Sequence, residues 1–234
     1  MRLDKFLAEC GFGTRTEVKK LIKSGCVEVK GDEKVRPETH IDENSSEIFV
    51  NGKKADYRKF VYLILNKPSG FISATWDKKL PTVIDLVPEE YIHFDVSPVG
   101  RLDIDTEGLL LLTNDGDLNH RLLSPKNHVP KTYIAKLLNP VKNEDIETFK
   151  KGMDLGDFET LPSTLEIISQ NEPYTAKVTI CEGKFHQVKR MFEKVNNKVL
   201  YLKRIKMKNL ILDENLDLGK VRELTNEELE DLLK

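Results

Sequence analysis

The stretch Gly100-Arg101-Leu102-Asp103-Ile104-Asp105-Thr106-Glu107-Gly108 runs straight into Leu109-Leu110-Leu111-Leu112-Thr113 and then Asn114-Asp115-Gly116. A short continuous apolar run closed by a turn signal reads as a buried strand. The charged, glycine-bounded loop before it therefore sits at the lip of a rigid core element, where side chains can be held in place for chemistry. An acid beside an arginine in that setting is either an ordinary surface ion pair or a carboxylate kept ionised for reaction. Spacing alone leaves both readings open and does not separate Asp103 from Asp105.

Working outward, apolar strands are expected at 60–65, 71–75, 132–138, 174–180 and 210–212. Helices are expected at 81–87, 143–151 and 185–195, the second capped by Asn143 and stopped by Gly152. A last helix starts at Thr225, with Glu228 completing a capping box. Strands and helices mix without strict βαβ alternation. This predicts an α+β fold whose sheet is mixed but mostly antiparallel, flanked by helices.

The first 55 residues read as a separate small unit. Leu3, Phe6, Leu7 and Cys10 fall at helical spacing until Gly11-Phe12-Gly13 breaks the pattern. Thr14-Arg15-Thr16-Glu17 is a capping box, and Val18, Leu21 and Ile22 form the apolar stripe of a second helix that Gly25 ends. Cys26-Val27-Glu28-Val29 alternates as a strand, and Ile48-Phe49-Val50 before Asn51-Gly52 is a hairpin signal. The polar stretch 56–59 reads as a linker, and 60–234 as the larger domain.

The 234 residues carry a net charge of −2, with 39% hydrophobic and 32% charged residues. No apolar run approaches the ~18 residues of a membrane span. The start, Met1-Arg2-Leu3-Asp4-Lys5, lacks an apolar signal region, so a cytoplasmic protein is expected. Three cysteines, Cys10, Cys26 and Cys181, cannot all pair and show no zinc-ribbon spacing. The total charge hides a strong asymmetry. Residues 184–208 hold nine Lys/Arg against one acid, and 209–234 hold three against eight acids. Because fields are local on the scale of the Debye length, a nearly neutral chain can carry a strongly basic face.

Two sets of residues carry a resemblance. The order helix, Thr-Arg-x-Glu entry, helix, glycine, strand over residues 1 to about 50 resembles the small α-L RNA-binding module named after a small-subunit ribosomal protein. The resemblance implies an RNA face built from Arg2, Lys5, Arg15, Lys19 and Lys20, which would grip phosphates without reading sequence. Lys67-Pro68-x-Gly70, Gly100-Arg101-Leu102-Asp103, Lys131-Thr132-Tyr133 and Gly183-Lys184-x-His186-Gln187-Val188-Lys189-Arg190 are similar to the motifs of RNA pseudouridine synthases. Ile104-Asp105-Thr106 and the His186–Phe192 run resemble the RsuA type, which modifies a uridine in small-subunit (16S) rRNA.

The match implies roles residue by residue. Asp103 matches the family's essential aspartate, with Asp105 as the rival carboxylate. Tyr133 matches the tyrosine that packs on the target base and takes part in proton transfer. Lys189 matches the basic residue that pairs with the aspartate. Arg101, Lys67, Lys184, Arg190 and Arg204 are the expected substrate-binding residues. His186, at the start of a helix amid bases, suits a structural hydrogen bond better than acid–base work.

The implied reaction breaks a glycosidic N–C bond, turns the uracil and rejoins its C5 to the same sugar carbon. It is redox-neutral, so no cofactor and no metal are expected. The implied partner is 16S rRNA or an assembling small ribosomal subunit, bound by a monomer away from membranes. Three alternatives stay open at this point: a synthase acting on large-subunit rRNA, a non-catalytic RNA-binding or ribosome-assembly factor, and a glycosidic-bond hydrolase with paired carboxylates.

Overall fold

A computed structural model describes residues 1–32 and 34–234. The chain divides into two compact units, Met1–Val61 with Pro88–Asp95, and Tyr62–Val87 with Val96–Lys234.

The first unit opens with helices α1 (Leu3–Glu9) and α2 (Arg15–Lys23). The capping box that starts α2 is present: the Thr14 side chain accepts from Glu17 N–H and the Glu17 carboxylate accepts from Thr14 N–H. Strands β1 (Val27–Val29), β2 (Ile48–Val50) and β3 (Lys53–Lys54) form an antiparallel sheet. Asn51 and Gly52 both adopt positive φ, as a two-residue hairpin turn demands. Leu3, Phe6, Leu7, Val18, Ile22 and Ile48 make the core between helices and sheet. The short helix α3 (Glu89–Ile92), although later in sequence, belongs to this unit.

The second unit is built on β4 (Tyr62–Lys67), β5 (Ser97–Pro98), β6 (Glu107–Thr113), β7 (Lys131–Leu137), β8 (Thr164–Ser169), β9 (Thr175–Ile180), β10 (Val199–Met207), β11 (Leu210–Ile211) and β12 (Val221–Glu223). The main path of the sheet runs β12-β4-β6-β10-β7-β9-β8, with β5 beside β6 and β11 beside β10. Among the strand pairs of the described residues only β6–β10 is parallel. The mixed, mostly antiparallel α+β architecture expected from the sequence is therefore the one formed. Helices α4 (Gly116–Leu123), α5 (Asn143–Lys151), α6 (Gln187–Lys194) and α7 (Asn226–Leu233) complete the unit.

The four-leucine run is the buried strand β6, with Leu109, Leu110, Leu111 and Leu112 all at 0% exposure. Burying side chains of this size contributes on the order of 2 kcal/mol each. Leu109 and Leu111 pack with Leu118 and Leu122 of α4 and Leu232 of α7. Gly108 is required where β6 closes on β10. It has φ +101°, and a Cβ there would lie 2.2 Å from the Arg204 carbonyl oxygen.

Several local expectations are corrected. The stretch 71–75 is not a strand; only Ile72 pairs, with Thr82. Residues 81–87 hold a single tight turn, Val83–Leu86. Asn114-Asp115-Gly116 is not a simple turn but the entry to α4, where the Asp115 carboxylate accepts from Leu118 N–H at 3.0 Å and from the Tyr62 hydroxyl at 2.9 Å. Asn143 does not cap α5; the Asp145 carboxylate reaches back to Lys142 N–H instead. The largest miss is β10. Lys203, Arg204 and Lys206 were expected to form part of a basic face, yet Val199–Met207 is a central strand with Leu202, Arg204 and Met207 buried.

Candidate active site

Asp103 sits on the loop joining β5 to β6, and that loop is clamped from below. Lys67, at the end of β4, is 0% exposed. Its ammonium donates to the carbonyls of Pro68, Asp103, Ile104 and Thr106 at 2.9–3.3 Å. Gly70 N–H donates to the Ile104 carbonyl at 2.8 Å. Ser73 Oγ donates to the Leu102 carbonyl and accepts from the Leu102 N–H, both at 3.0 Å. The Lys-Pro-x-Gly sequence thus has a mechanical meaning: it fixes the main chain on both sides of the carboxylate. Burial pushes the Lys67 ammonium down to about 8, against the pull of Asp105, Glu107 and Asp103. Lys67, expected among the substrate-binding residues, is here buried with its ammonium turned onto loop carbonyls.

Lys189 comes from α6, whose entry is locked by the buried Gln187. Its side chain accepts from Lys184 N–H at 3.1 Å and donates to Glu182 at 2.9 Å. Lys189 Nζ lies 3.4 Å from Asp103 Oδ2, and 2.6 and 2.8 Å from the two oxygens of Asp105. Burial opposes ionisation of Asp105, but the hydrogen bond and charge of Lys189 outweigh it and hold the carboxyl below the usual range. His186 precedes α6 in a left-handed conformation and places Nε2 3.7 Å from Asp103 Oδ1, with its ring stacked on that of Phe185.

Tyr133 lies on β7, 6% exposed, directly opposite Arg204 of β10. Asp103, Tyr133, Lys189, Arg101, Lys184 and His186 line one open cleft of about 390 Å³, mouth included. Asp105 does not line it; its side chain is 61% exposed against 27% for Asp103.

Two other expected residues are placed differently. Arg190 is taken up by the Asp157 carboxylate and the Leu155 carbonyl, with its guanidinium over the Phe158 ring. Arg204 is 1% exposed, its Nε donating to the Leu109 carbonyl at 2.8 Å, so it cannot grip a phosphate from the surface as the basic run suggested. It lines a second cavity instead. Among the described residues no group of three or more His, Cys, Asp or Glu is placed to hold a metal.

In the first unit, four cations are exposed as expected, and Arg2 as well, but three of the five are not independent. The carboxylate of Asp4, 0% exposed, accepts from Arg2 at 3.0 and 3.1 Å and from Arg15 at 3.0 Å, with Lys19 Nζ at 3.9 Å. Lys5 pairs with Glu9 at 3.5 Å, and Lys20 is exposed. Sequence reasoning missed Asp4 as the organiser of this face. Its signal was an acid on the first turn of α1, between basic residues.

A clamped aspartate, a cation held against it and a buried tyrosine in one cleft define an enzyme site rather than a passive surface. The family model described as RNA pseudouridylate synthase matches residues 61–194, and that of the S4 domain matches residues 1–46. The chain belongs to the RNA pseudouridylate synthase family. It is 48% identical over 231 residues to an RNA pseudouridine synthase of Bacillus subtilis, covering 98% of this chain and 97% of that one. It is 40% identical to ribosomal small subunit pseudouridine synthase A of Vibrio cholerae across the whole of both chains. A crystal structure of a pseudouridylate synthase aligns over 99% of both chains with a TM-score of 0.69 and 36% identity.

Proposed function

We propose that this protein converts a specific uridine of small-subunit rRNA to pseudouridine and that Asp103 carries the reaction. The observation that supports Asp103 over its rival is placement. Asp103 is the carboxylate inside the cleft with Tyr133, whereas Asp105 faces outward and holds Lys189 from behind. The small-subunit substrate is supported by the likeness to ribosomal small subunit pseudouridine synthase A over the full chain.

The uridine leaves the RNA stack and enters the cleft, which costs a few kcal/mol. Packing of the uracil on the Tyr133 ring offsets part of that, worth ~1–3 kcal/mol per stacked base. An ionised Asp103 then adds to C1′ or takes the C2′ proton, and either step breaks the bond from C1′ to N1. The uracil turns and C5 bonds to C1′, displacing the Asp103 carboxylate in the first route or with Asp103 returning the proton to C2′ in the second. The C5 proton then leaves to a base or to water and N1 takes up a proton. Both routes use the Asp103 carboxylate, and Lys189 Nζ stands 3.4 Å from its Oδ2. The turned base needs no second substrate and no redox partner.

In this reading residues 1–55 are an RNA-binding module, 56–59 the connection and 60–234 the catalytic domain, with 88–95 the stretch of that domain that packs in the first unit. The protein acts as a monomer in the cytoplasm; among the described residues no helix is long and apolar enough to cross a membrane. The test uses small-subunit rRNA tritiated at uracil C5. Wild type should release tritium and Asp103→Asn should not, with RNA binding retained. Release by Asp103→Asn, or release from large-subunit rRNA alone, would overturn the respective part of the proposal.

A further inference from the structure

The cleft holding Asp103 and Tyr133 shares Arg101, Tyr133 and Lys184 with a larger neighbouring cavity of about 1120 Å³, mouth included. The ladder fixes what lines it. Arg204 is paired directly with Tyr133 across β10 and β7, and Lys131 is two residues before Tyr133. Residues two apart on a strand share a face, so all three point the same way.

Two buried cations meet there without an ion pair, Glu182 drawing on Lys131 only through space. Arg204 Nη2 is buried and has no hydrogen-bond partner, although its Nε is satisfied by the Leu109 carbonyl. Lys131 is 8% exposed, and its ammonium, with three protons to place, donates to the Val129 carbonyl at 2.8 Å. Among the described residues neither forms an ion pair. The one acid lining the cavity, Glu182, is already engaged with Leu161 N–H at 2.7 Å and Gln187 at 2.9 Å. Burial, reinforced by the positive charge of Arg204, pushes the Lys131 ammonium down to about 8 against the weaker pull of Cys181 and Glu182. Buried cations are normally paired, and a buried donor left unmade is costly. A fold that keeps two such groups side by side is built to receive an anion.

We propose that this cavity is a phosphate subsite, in which Lys131 and Arg204 receive the RNA phosphodiester adjoining the flipped-out uridine. Arg101 and Lys184, exposed at the shared wall, close over it, and Leu123 and Pro125 offer an apolar surface to the neighbouring nucleoside. The inference rests on reading the adjacent cleft as the uridine pocket. Its logic is differential binding: a contact to the phosphate that forms only once the strand has bent inward offsets the cost of extruding the base. Surface lysines would grip the strand equally well before and after that step.

The test is Lys131→Met, which keeps the length of the side chain and removes the uncompensated charge. The thermal midpoint of the free enzyme should hold or rise, because a desolvated cation has gone. KM for the rRNA should rise tenfold or more while kcat at saturation changes less. The salt dependence of binding should become shallower by about one phosphate contact, roughly 0.7–0.9 in log–log slope. Inorganic phosphate should raise the midpoint of wild type and compete with RNA, and do neither in Lys131→Met. A lower midpoint with unchanged KM would overturn the subsite and make Lys131 a brace of β7. A phosphate effect surviving in a variant of unchanged KM would also overturn it. Arg204→Lys, which keeps the charge but removes the fork, should raise KM as well; if Lys131→Met does not fold, an unchanged KM in Arg204→Lys overturns the proposal. Wild type that releases no tritium would instead sink the synthase reading, so the two failures are distinguishable.

Discussion

Lys189 is bound through both oxygens of Asp105, at 2.6 and 2.8 Å, and stands 3.4 Å from Asp103. One ammonium thus serves two carboxylates, more tightly the one outside the cleft. On the proposed reading Asp105 steers Lys189 and does not touch the nucleotide. Asp105→Asn should keep a hydrogen bond to Lys189 but weaken the pull on it, letting the ammonium settle on Asp103. Tritium-release assays should show kcat within about tenfold of wild type, whereas Asp103→Asn falls below detection; removing a group that acts only in the transition state commonly costs several powers of ten. Equal losses in the two variants would reverse the roles assigned to the two aspartates.

Lys67 never reaches the cleft, yet it should matter as much as residues that do. Its ammonium holds the carbonyls of Asp103, Ile104 and Thr106 together. Lys67→Met removes those donors inside a closed space, at a cost of about 1–3 kcal/mol for acceptors left unmade. A misplacement of about 1 Å at a reacting group costs on the order of a hundredfold in rate. The expected signature is a large fall in kcat, a lower thermal midpoint and little change in KM. A raised KM with unchanged kcat would return Lys67 to the substrate-binding residues.

The order of motifs made the family legible in the sequence, and the four-leucine run made the central strand beside the site legible. What stayed hidden has physical causes. Lys67 and Arg204 are long cations, and nothing in one dimension tells a buried cation from an exposed one. Strand β10 was hidden by the same confusion, because Lys203, Arg204 and Lys206 read as one basic face. They belong to alternating and then bulged positions, the ladder to β7 shifting register between Arg204 and Lys206. The signal lay in Val199-Leu200-Tyr201-Leu202, a β-rich entry to the run. Helix α4 was missed because Asp115 reads equally well as a turn residue and as an N-cap.

Gly108 joins the loop to the sheet at the parallel β6–β10 pairing, opposite Arg204. Gly108→Ala would place a methyl group 2.2 Å from a main-chain oxygen at a φ of +101°. Neither side can yield cheaply, since one is ladder backbone and the other leads into the Asp103 loop. The destabilisation should be roughly 3 kcal/mol or more, the sum of overpacking and unfavourable φ. Urea unfolding measures it. A change under about 0.5 kcal/mol would mean that the two strands part more readily than this ladder implies.

Asp4 offers the sharpest test of the first unit, because charge counting and geometry predict opposite signs. Replacing Asp4 with Asn removes a negative charge from a basic face, which by electrostatics alone should tighten RNA binding. Asp4 also gathers Arg2, Arg15 and Lys19, however, and their long side chains each regain up to about 2 kcal/mol of rotamer freedom once released. Asp4→Asn should therefore weaken RNA binding severalfold, with kcat at saturation unchanged. Arg15→Ala with Lys19→Ala should weaken it further and lower the salt slope by about one to two contacts. The same carboxylate predicts an acid limit. Burial opposes its ionisation, but hydrogen bonds from Arg2 and Arg15 outweigh burial and lower its folded pKa. A depressed folded pKa means that the unfolded chain binds the proton first as pH falls. Its stabilisation is full above the unfolded value, about 4, and is lost as pH drops through the folded one. Wild type should lose stability below about pH 4 more steeply than Asp4→Asn when both are followed by chemical unfolding. Parallel acid profiles, or tighter RNA binding by the variant, would remove Asp4 as the organiser of this face.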